Sequence, residues 1–336
     1  MKVMLIGSVD LSRKKIGGQY EKTRFVYNFL KAEKGIDVYF CNMFDIGKNF
    51  RLFIVILKEY FHNDCVVVIT SVRGTRVISM LLYLLRKAKK KAIVYLIVGN
   101  QLELLRSLSN KIAGEMDKLY FEVSSMQNEL NDKYNVGYFP NCKDIQPFRG
   151  EHLATDPIRI CYYSEISYRK GFDRLIRALD TVNKDRKNYE LDVFGFFADD
   201  ESDMKKYFES RNYLNFKGTV KREESQGVLS QYSFMVFPSR HKLEGVPGAI
   251  IDAYEAGLPV ICSDVGFLSQ IVKDKETGYL FHSEDELINL LVKTLSNLGI
   301  VENIRQNCLK EAEKYDIKQS IKILHSDLDA MIGTDG

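Results

Sequence analysis

Phe237-Pro-Ser-Arg-His-Lys-Leu-Glu244-Gly-Val-Pro247-Gly248-Ala-Ile-Ile-Asp252-Ala-Tyr-Glu-Ala-Gly257-Leu-Pro259-Val-Ile reads as a buried strand end, a polar loop, a helix and a second strand. The spacing predicts a helix over Pro247–Ala256, with proline at the first helical position, where its fixed φ fits and its missing N–H costs nothing. A strand over Pro259–Cys262 follows. Strand, helix and strand in succession are the repeating unit of a parallel sheet. Gly245 and Gly248 leave backbone amides unshielded at the helix start, where the positive end of the dipole favours an anion such as a diphosphate. Asp252 lies four residues after Gly248, hence on the same helix face. Its carboxylate there is either an acceptor for sugar hydroxyls or a first-turn acid favoured by the dipole.

The same rhythm extends in both directions. Towards the N-terminus of this half come a strand at Ile158–Tyr163, a helix at Lys170–Asn183 and strands at Glu190–Phe194, Asn215–Lys217 and Ser233–Phe237. From Glu284 onward the pattern is helical throughout. The first half opens with a strand at Lys2–Val9, a loop through Gly18 and a helix from Gln19 to Glu33. Strand candidates follow at Ile36–Cys41, Cys65–Thr70, Ala92–Val98, Leu119–Val123 and Val136–Phe139. Between the halves, Pro140–Pro157 holds three of the six prolines and breaks the rhythm. The expectation is therefore an α/β chain with two Rossmann-like, doubly wound domains facing a cleft. A first domain spans residues 1–145, a linker 146–157 and a second domain 158–315, and a C-terminal helix over 316–336 packs back toward the first domain. Such sheets bind ligands outside the carboxyl ends of their strands.

Composition narrows the class. The 336 residues suit two domains, and 45% hydrophobic residues are ample for packed cores. Cys41, Cys65, Cys142, Cys161, Cys262 and Cys308 stand singly, which fits reduced core thiols rather than zinc ligands or a disulfide framework. The opening apolar run ends at Asp10 with no small-residue cleavage site, and no apolar stretch approaches the ~20 residues of a membrane span. A cytoplasmic location is expected. Residues 1–150 carry 24 Lys and Arg against 14 Asp and Glu, and the remainder 24 against 31, so +10 faces −7. A basic half points to something anionic: a membrane surface, a phosphate-bearing lipid or nucleic acid.

The Glu244-to-Ile261 segment resembles the signature of family 4 retaining glycosyltransferases of the GT-B fold: an acid, seven residues, a second acid, then A-x-x-x-G-x-P-V-I. That family more often has Glu second. The form E-G-x-P-G-x-I-I-D-A is similar to a bacterial subset acting in capsule and surface-polysaccharide (including lipopolysaccharide) assembly. The resemblance implies that Glu244 contacts the transferred sugar, Asp252 the nucleotide ribose, and Gly245, Val246, Pro247 and Gly248 the diphosphate and sugar. Lys170-Gly171 matches the family's Lys-Gly pair, whose cation holds the pyrophosphate. Glu165 stands where the family has Arg, with Arg169 as a substitute cation. Gly17-Gly18-Gln19 is similar to the family's glycine loop near the donor. Lys22, Gly99, Asn100 and Glu122 fall where the subset has acceptor-side residues. The family's histidine near Gly99 is absent, and His62, His152, His241, His282 and His325 read as structural or exposed.

What the resemblance implies is a hexosyltransferase-type enzyme. It would move a sugar from a UDP- or GDP-linked donor to a glycan or lipid-linked acceptor, with Lys170, Arg169 and helix amides stabilising the leaving diphosphate. It needs no metal and no other cofactor, and Asp199-Asp200 reads as part of a solvated helix start. Nucleic acid is not an expected partner. Peripheral contact with the inner face of a membrane through Lys48–Tyr60 or Arg86–Lys91 suits the basic half. Two other readings share the plan: a nucleotide-sugar epimerase or hydrolase, and a non-catalytic GT-B partner subunit, suggested by Glu165.

Overall fold

A computed structural model of the chain describes residues 1–9, 18–44, 51–70, 72–99, 101–150, 159–185, 189–198, 202–242, 244–294 and 299–333. The chain forms two compact units, one of residues 1–144 with 315–336, the other of residues 145–314.

In unit 1 the strands are β1 (Lys2–Gly7), β2 (Asp37–Asn42), β3 (Cys65–Ile69), β4 (Ala92–Leu96), β5 (Lys118–Phe121) and β6 (Val136–Tyr138). They form one parallel sheet in the order β2-β1-β3-β4-β5-β6. The central strands β3 (CVVVI) and β4 (AIVYL) are buried along their whole length, as strands covered on both faces must be. The connecting helices are α1 (Gly18–Ala32), α2 (Arg51–His62), α3 (Val72–Arg86), α4 (Leu102–Ser107), α5 (Asn110–Ala113) and α6 (Ser125–Asn128).

Unit 2 contains β7 (Ile160–Tyr163), α7 (Phe172–Asp185), β8 (Leu191–Phe194), α8 (Lys206–Glu209), β9 (Leu214–Gly218), α9 (Arg222–Leu229) and β10 (Phe234–Phe237). It continues with α10 (Gly248–Glu255), β11 (Val260–Ser263), α11 (Leu268–Ile271), β12 (Gly278–Phe281), α12 (Glu284–Thr294) and α13 (Gly299–Ala312). Its sheet, also parallel, runs β12-β11-β10-β7-β8-β9. Counted from β7, that is the 3-2-1-4-5-6 order of a dinucleotide-binding sheet, with the topological switch between β7 and β10. The last helix, α14 (Ile317–Gly333), belongs to unit 1. Its Ile317, Ile321, Leu324 and Leu328 join the core around Val67, Val94 and Tyr120, and Asp327 accepts hydrogen bonds from Lys118 and Tyr120.

The sequence reading misses β12, a four-residue strand that follows Lys275, whose φ of 64° turns the chain back. Two helix starts also differ. Pro247 is the N-cap of α10 and not its first helical residue. Its ψ of 128° is extended, and its carbonyl accepts from Ile250 and Ile251. Helix α7 begins at Phe172 rather than Lys170, because Gly171 turns at φ 74°. A Cβ at Gly171 would lie 1.9 Å from the Pro238 carbonyl oxygen, so only glycine lets the two chains approach there. Lys170 is thereby left on the loop.

A candidate donor site at the switch point of unit 2

The loop after β7 and the loop after β10 meet at the carboxyl ends of the two strands that flank the switch. Lys170, on the first, places its ammonium 2.7 and 2.9 Å from the two carboxylate oxygens of Glu244, on the second. Ser239 donates to the same carboxylate at 2.8 Å. Both charged side chains are nearly buried. The loops are stitched together as well. The Arg240 amide donates to the Arg169 carbonyl at 2.9 Å, and its guanidinium reaches the Tyr168 carbonyl and, at 2.5 and 3.0 Å, Asp173 in the first turn of α7. Burial pushes the Asp173 carboxyl up, but hydrogen bonds from Arg240 and Arg177 outweigh it and hold the group below its usual value. Glu165 and Arg169 pair with each other at 3.0 Å, with Arg169 half exposed. His241 also belongs to this loop. Burial lowers its imidazole pKa, Glu244 opposes that, and Arg169 and Lys170 add to it.

Glu244 leads directly into Gly245-Val246-Pro247 and the start of α10 at Gly248. Behind the loop sits Gly266, at φ 62°. A Cβ there would press at 3.0 Å on the Lys242 carbonyl and at 3.2 Å on the Glu244 carbonyl. Further along α10, Asp252 is buried and receives the Tyr163 hydroxyl at 3.3 Å. The Arg222 guanidinium lies 3.7 Å from Asp252 and 2.5 Å from Glu255. Burial lowers the Arg222 pKa, but these two acids more than compensate and raise it overall. Burial, with Asp252 beside it, pushes the Tyr163 phenol far up. The helix thus carries a second buried acid, Glu255, beyond the one that its sequence drew attention to.

In unit 1, Gly17 and Asn100 lie outside the described residues. Gly18 opens α1 and Gln19 follows it. Lys22 faces no solvent. Its ammonium is 3.0 Å from Glu122 and close to the carbonyls of Ile97 and Phe139. Glu122, also buried, accepts the Gly99 amide at 3.1 Å through its other oxygen. Lys22, Gly99 and Glu122 are therefore brought together, as one sealed hydrogen-bonded unit. Among the described residues, no cluster of three or more His, Cys, Asp or Glu side chains is placed to hold a metal ion.

Residues 144–315 match the family model for glycosyl transferases group 1, just over half of the chain. The chain belongs to that family. Within this group 1 glycosyl transferase the match takes in Lys170, Glu244 and Asp252 and leaves Lys22, Gly99 and Glu122 outside. An uncharacterized glycosyltransferase of Methanocaldococcus jannaschii is 28% identical over 219 residues, 58% of this chain and 53% of that protein. A 41.2 kDa protein in the cps region of Klebsiella pneumoniae is 22% identical over 205 residues, 60% and 54% of the two chains. The matched stretches thus span about half the length of these relatives. In fold, the chain is similar to Anabaena HepE, solved in complex with UDP and glucose, at TM-score 0.74 and 15% identity over 98% of this chain and 100% of that one. That likeness establishes the two-domain GT-B fold.

Several supporting residues of this group 1 glycosyl transferase carry weaker sequence signals. Ser239 and Arg240 lie between Phe237 and Glu244, and Asp173 is three residues past Lys170, so proximity to the motif is a usable signal. Arg222 gave none: Arg-Glu-Glu at a helix start reads as a solvated first turn.

Proposed function

We propose that this chain is a retaining glycosyltransferase. It moves a sugar from a UDP- or GDP-linked donor onto a glycan or lipid-linked acceptor in cell-surface polysaccharide synthesis. The observation that carries the reading is the Lys170–Glu244 pair, held at the switch point beside the amide-bearing start of α10. A cation beside the start of a helix suits a diphosphate, and a carboxylate next to them suits the hydroxyls of the attached sugar. The UDP and glucose held by HepE and the cps-region setting of the Klebsiella relative support the substrate class.

In the proposed reaction the bond from the sugar's anomeric carbon to the diphosphate oxygen breaks as an acceptor oxygen bonds to that carbon on the same face. Lys170 and the amides of Gly245 and Gly248 take up the charge developing on the diphosphate. Glu244 orients the sugar, Asp252 the ribose hydroxyls, and a diphosphate oxygen receives the acceptor's proton. Glu165, which replaces a cation in the family pattern, has its charge matched by Arg169, and this favours the catalytic reading over a non-catalytic subunit.

Calorimetry with UDP, GDP and ADP tests the site, with Lys170→Ala as control. One of the three should bind to the parent chain and lose at least about tenfold in affinity in the variant. Binding of none by folded protein overturns the reading. With the preferred donor, turnover in EDTA should continue and the product should keep the donor's anomeric configuration. Activity lost to EDTA and restored by Mn²⁺, an inverted product, or donor hydrolysis without an acceptor would each count against it.

A further inference from the structure

Among the described residues thirteen large apolar side chains are exposed, and seven of them lie on just two helices, α2 and α3. On α2 they are Ile54, Leu57 and Phe61, and on α3 Val77, Met80 and Leu84, with Val72 as the seventh at the start of α3. Each set has the i, i+3, i+7 spacing of one helix face. Ile54, Met80 and Leu84 stand 59%, 57% and 56% exposed. These are the outward faces. The inward faces are apolar as well, with Ile56 and Tyr60 on α2 and Ile78, Leu82 and Leu85 on α3 buried. A surface helix in water needs one apolar stripe, and these two carry a second.

The two stripes lie on one side of the sheet. Helix α2 links β2 to β3 and α3 links β3 to β4, and both crossovers step in the same direction along β2-β1-β3-β4. Right-handed crossovers in one direction place their helices on one face. The chain ends confirm the neighbourhood: Tyr60 of α2 donates at 2.7 Å to the Lys89 carbonyl just after α3, and Lys91 donates to the Asn63 carbonyl just after α2.

The flanking charge selects the occupant. From Val72 to Lys91 there is no acidic residue, while Arg73, Arg76, Lys87, Lys89 and Lys90 are all exposed; α2 adds exposed Arg51 and Lys58 and one half-buried acid, Glu59. Two copies meeting through this face about a twofold axis would set those cations against one another, which disfavours a dimer. An apolar line rimmed by cations matches the acyl boundary and anionic headgroups of a bilayer. No helix among the described residues is long and apolar enough to cross a membrane, so the contact is one of lying on the surface.

We infer that the outward faces of α2 and α3 form a bilayer-docking surface, which inserts Ile54, Leu57, Phe61, Val77, Met80 and Leu84 among lipid chains beneath anionic headgroups. The inference does not depend on the reaction proposed above. It differs from adsorption by charge alone, because apolar insertion persists when salt screens the cations.

The absence of tryptophan provides a clean reporter. The full chain carrying Leu84→Trp is mixed with vesicles of equal parts phosphatidylglycerol and phosphatidylcholine, and Phe216→Trp, on exposed β9 of unit 2, serves as control. Emission from position 84 should shift to the blue and be quenched by spin-labelled lipid, with no change at position 216. In sedimentation, a bound fraction of the parent chain should persist at about 0.5 M salt, where the Debye length has fallen to about 4 Å. Joint Leu57→Ser, Met80→Ser and Leu84→Ser should lower vesicle affinity at least about tenfold while leaving nucleotide binding intact. Joint Lys87→Gln, Lys89→Gln and Lys90→Gln should lower only the low-salt binding. The inference is overturned by a chain that ignores these vesicles at low salt, by complete release at high salt with indifference to the serine changes, or by equal shifts at positions 84 and 216. A solution dimer that Met80→Glu dissociates overturns it as well.

Discussion

The two units each hold a Lys–Glu pair near the carboxyl ends of their strands, and the pairs differ in what surrounds them. Lys22 and Glu122 in unit 1 are shut away from water, and besides each other they meet fixed backbone groups: the carbonyls of Ile97 and Phe139 and the amide of Gly99. Lys170 and Glu244 in unit 2 keep a little exposure and adjoin the open start of a helix. A sealed pair with these hydrogen bonds made ties α1 to the Gly99 turn, and we propose that it acts as a brace. A pair with an accessible side can exchange its partner for a diphosphate or a sugar, and its mutual attraction keeps both groups positioned until then. On the proposed reading, identical residue types serve as a strut in one place and as chemistry in the other, and the lysine of the second pair is the more exposed.

The sharpest way to break that contrast is to remove one half of the strut. Lys22→Met should cost about 3–5 kcal/mol of unfolding free energy, because Glu122 is left buried without a counter-charge. Adding Glu122→Gln should recover at least half of that, since the amide oxygen can still accept from Gly99. Urea unfolding of the single and double variants measures both quantities. A loss under about 1 kcal/mol in the single variant means that the pair is no brace.

The corresponding cuts in unit 2 should cost less stability, because Ser239 still donates to Glu244 and the pair keeps some exposure, and should strike turnover. Glu244→Ala and Lys170→Ala are each expected to slow transfer at least about 100-fold, equivalent to about 2.7 kcal/mol of barrier. Both variants should remain folded at the assay temperature, as checked by circular dichroism. If instead they unfold while turnover per folded molecule holds, the two pairs have the same role and the contrast disappears.

A smaller and pH-dependent effect belongs to Asp173, the acid that ties the two loops of unit 2. Its carboxyl is depressed in the folded chain, so the unfolded chain binds the proton more readily. The stabilisation is complete above the unfolded value near 4 and is lost as pH falls through the folded value. Asp173→Asn should therefore cost about 1–2 kcal/mol at pH 7, discounted because both arginine partners are well exposed. The gap to the parent chain should narrow toward pH 3. A gap that widens in acid contradicts the assignment.

Much of the architecture was legible because parallel strands buried on both faces appear as unbroken apolar runs; Cys65–Ile69, Ala92–Leu96 and Phe234–Phe237 are such runs. β12 was not, since Gly-Tyr-Leu-Phe is short and its register is set by pairing with β11, which no local pattern records. The meeting of Lys170 with Glu244 had a local cue in each half: a Lys-Gly at a strand end and an acid before a helix. Arg222 had no such cue. Its guanidinium acquires its role only when α9 packs beside α10 and sets it against Asp252 and Glu255. Lys22 illustrates the opposite limit. The sequence placed it with Glu122 among acceptor-side residues, and only the fold shows the two in direct contact across a hundred residues, out of reach of water.

The chain leaves unit 1 at Asp144 and returns to it at Tyr315, where Lys143 and Asp316 lie side by side in a parallel bridge. On the ribosome this order has a temporal meaning. Unit 2 can close as soon as its own residues emerge, whereas the face of β4 and β5 that α14 covers stays open until synthesis has passed through all of unit 2. At the usual elongation speed that interval lasts roughly ten to thirty seconds. For that time a nearly finished sheet lacks the helix that packs beside Val94 and Tyr120, and nascent-chain chaperones have their opportunity there.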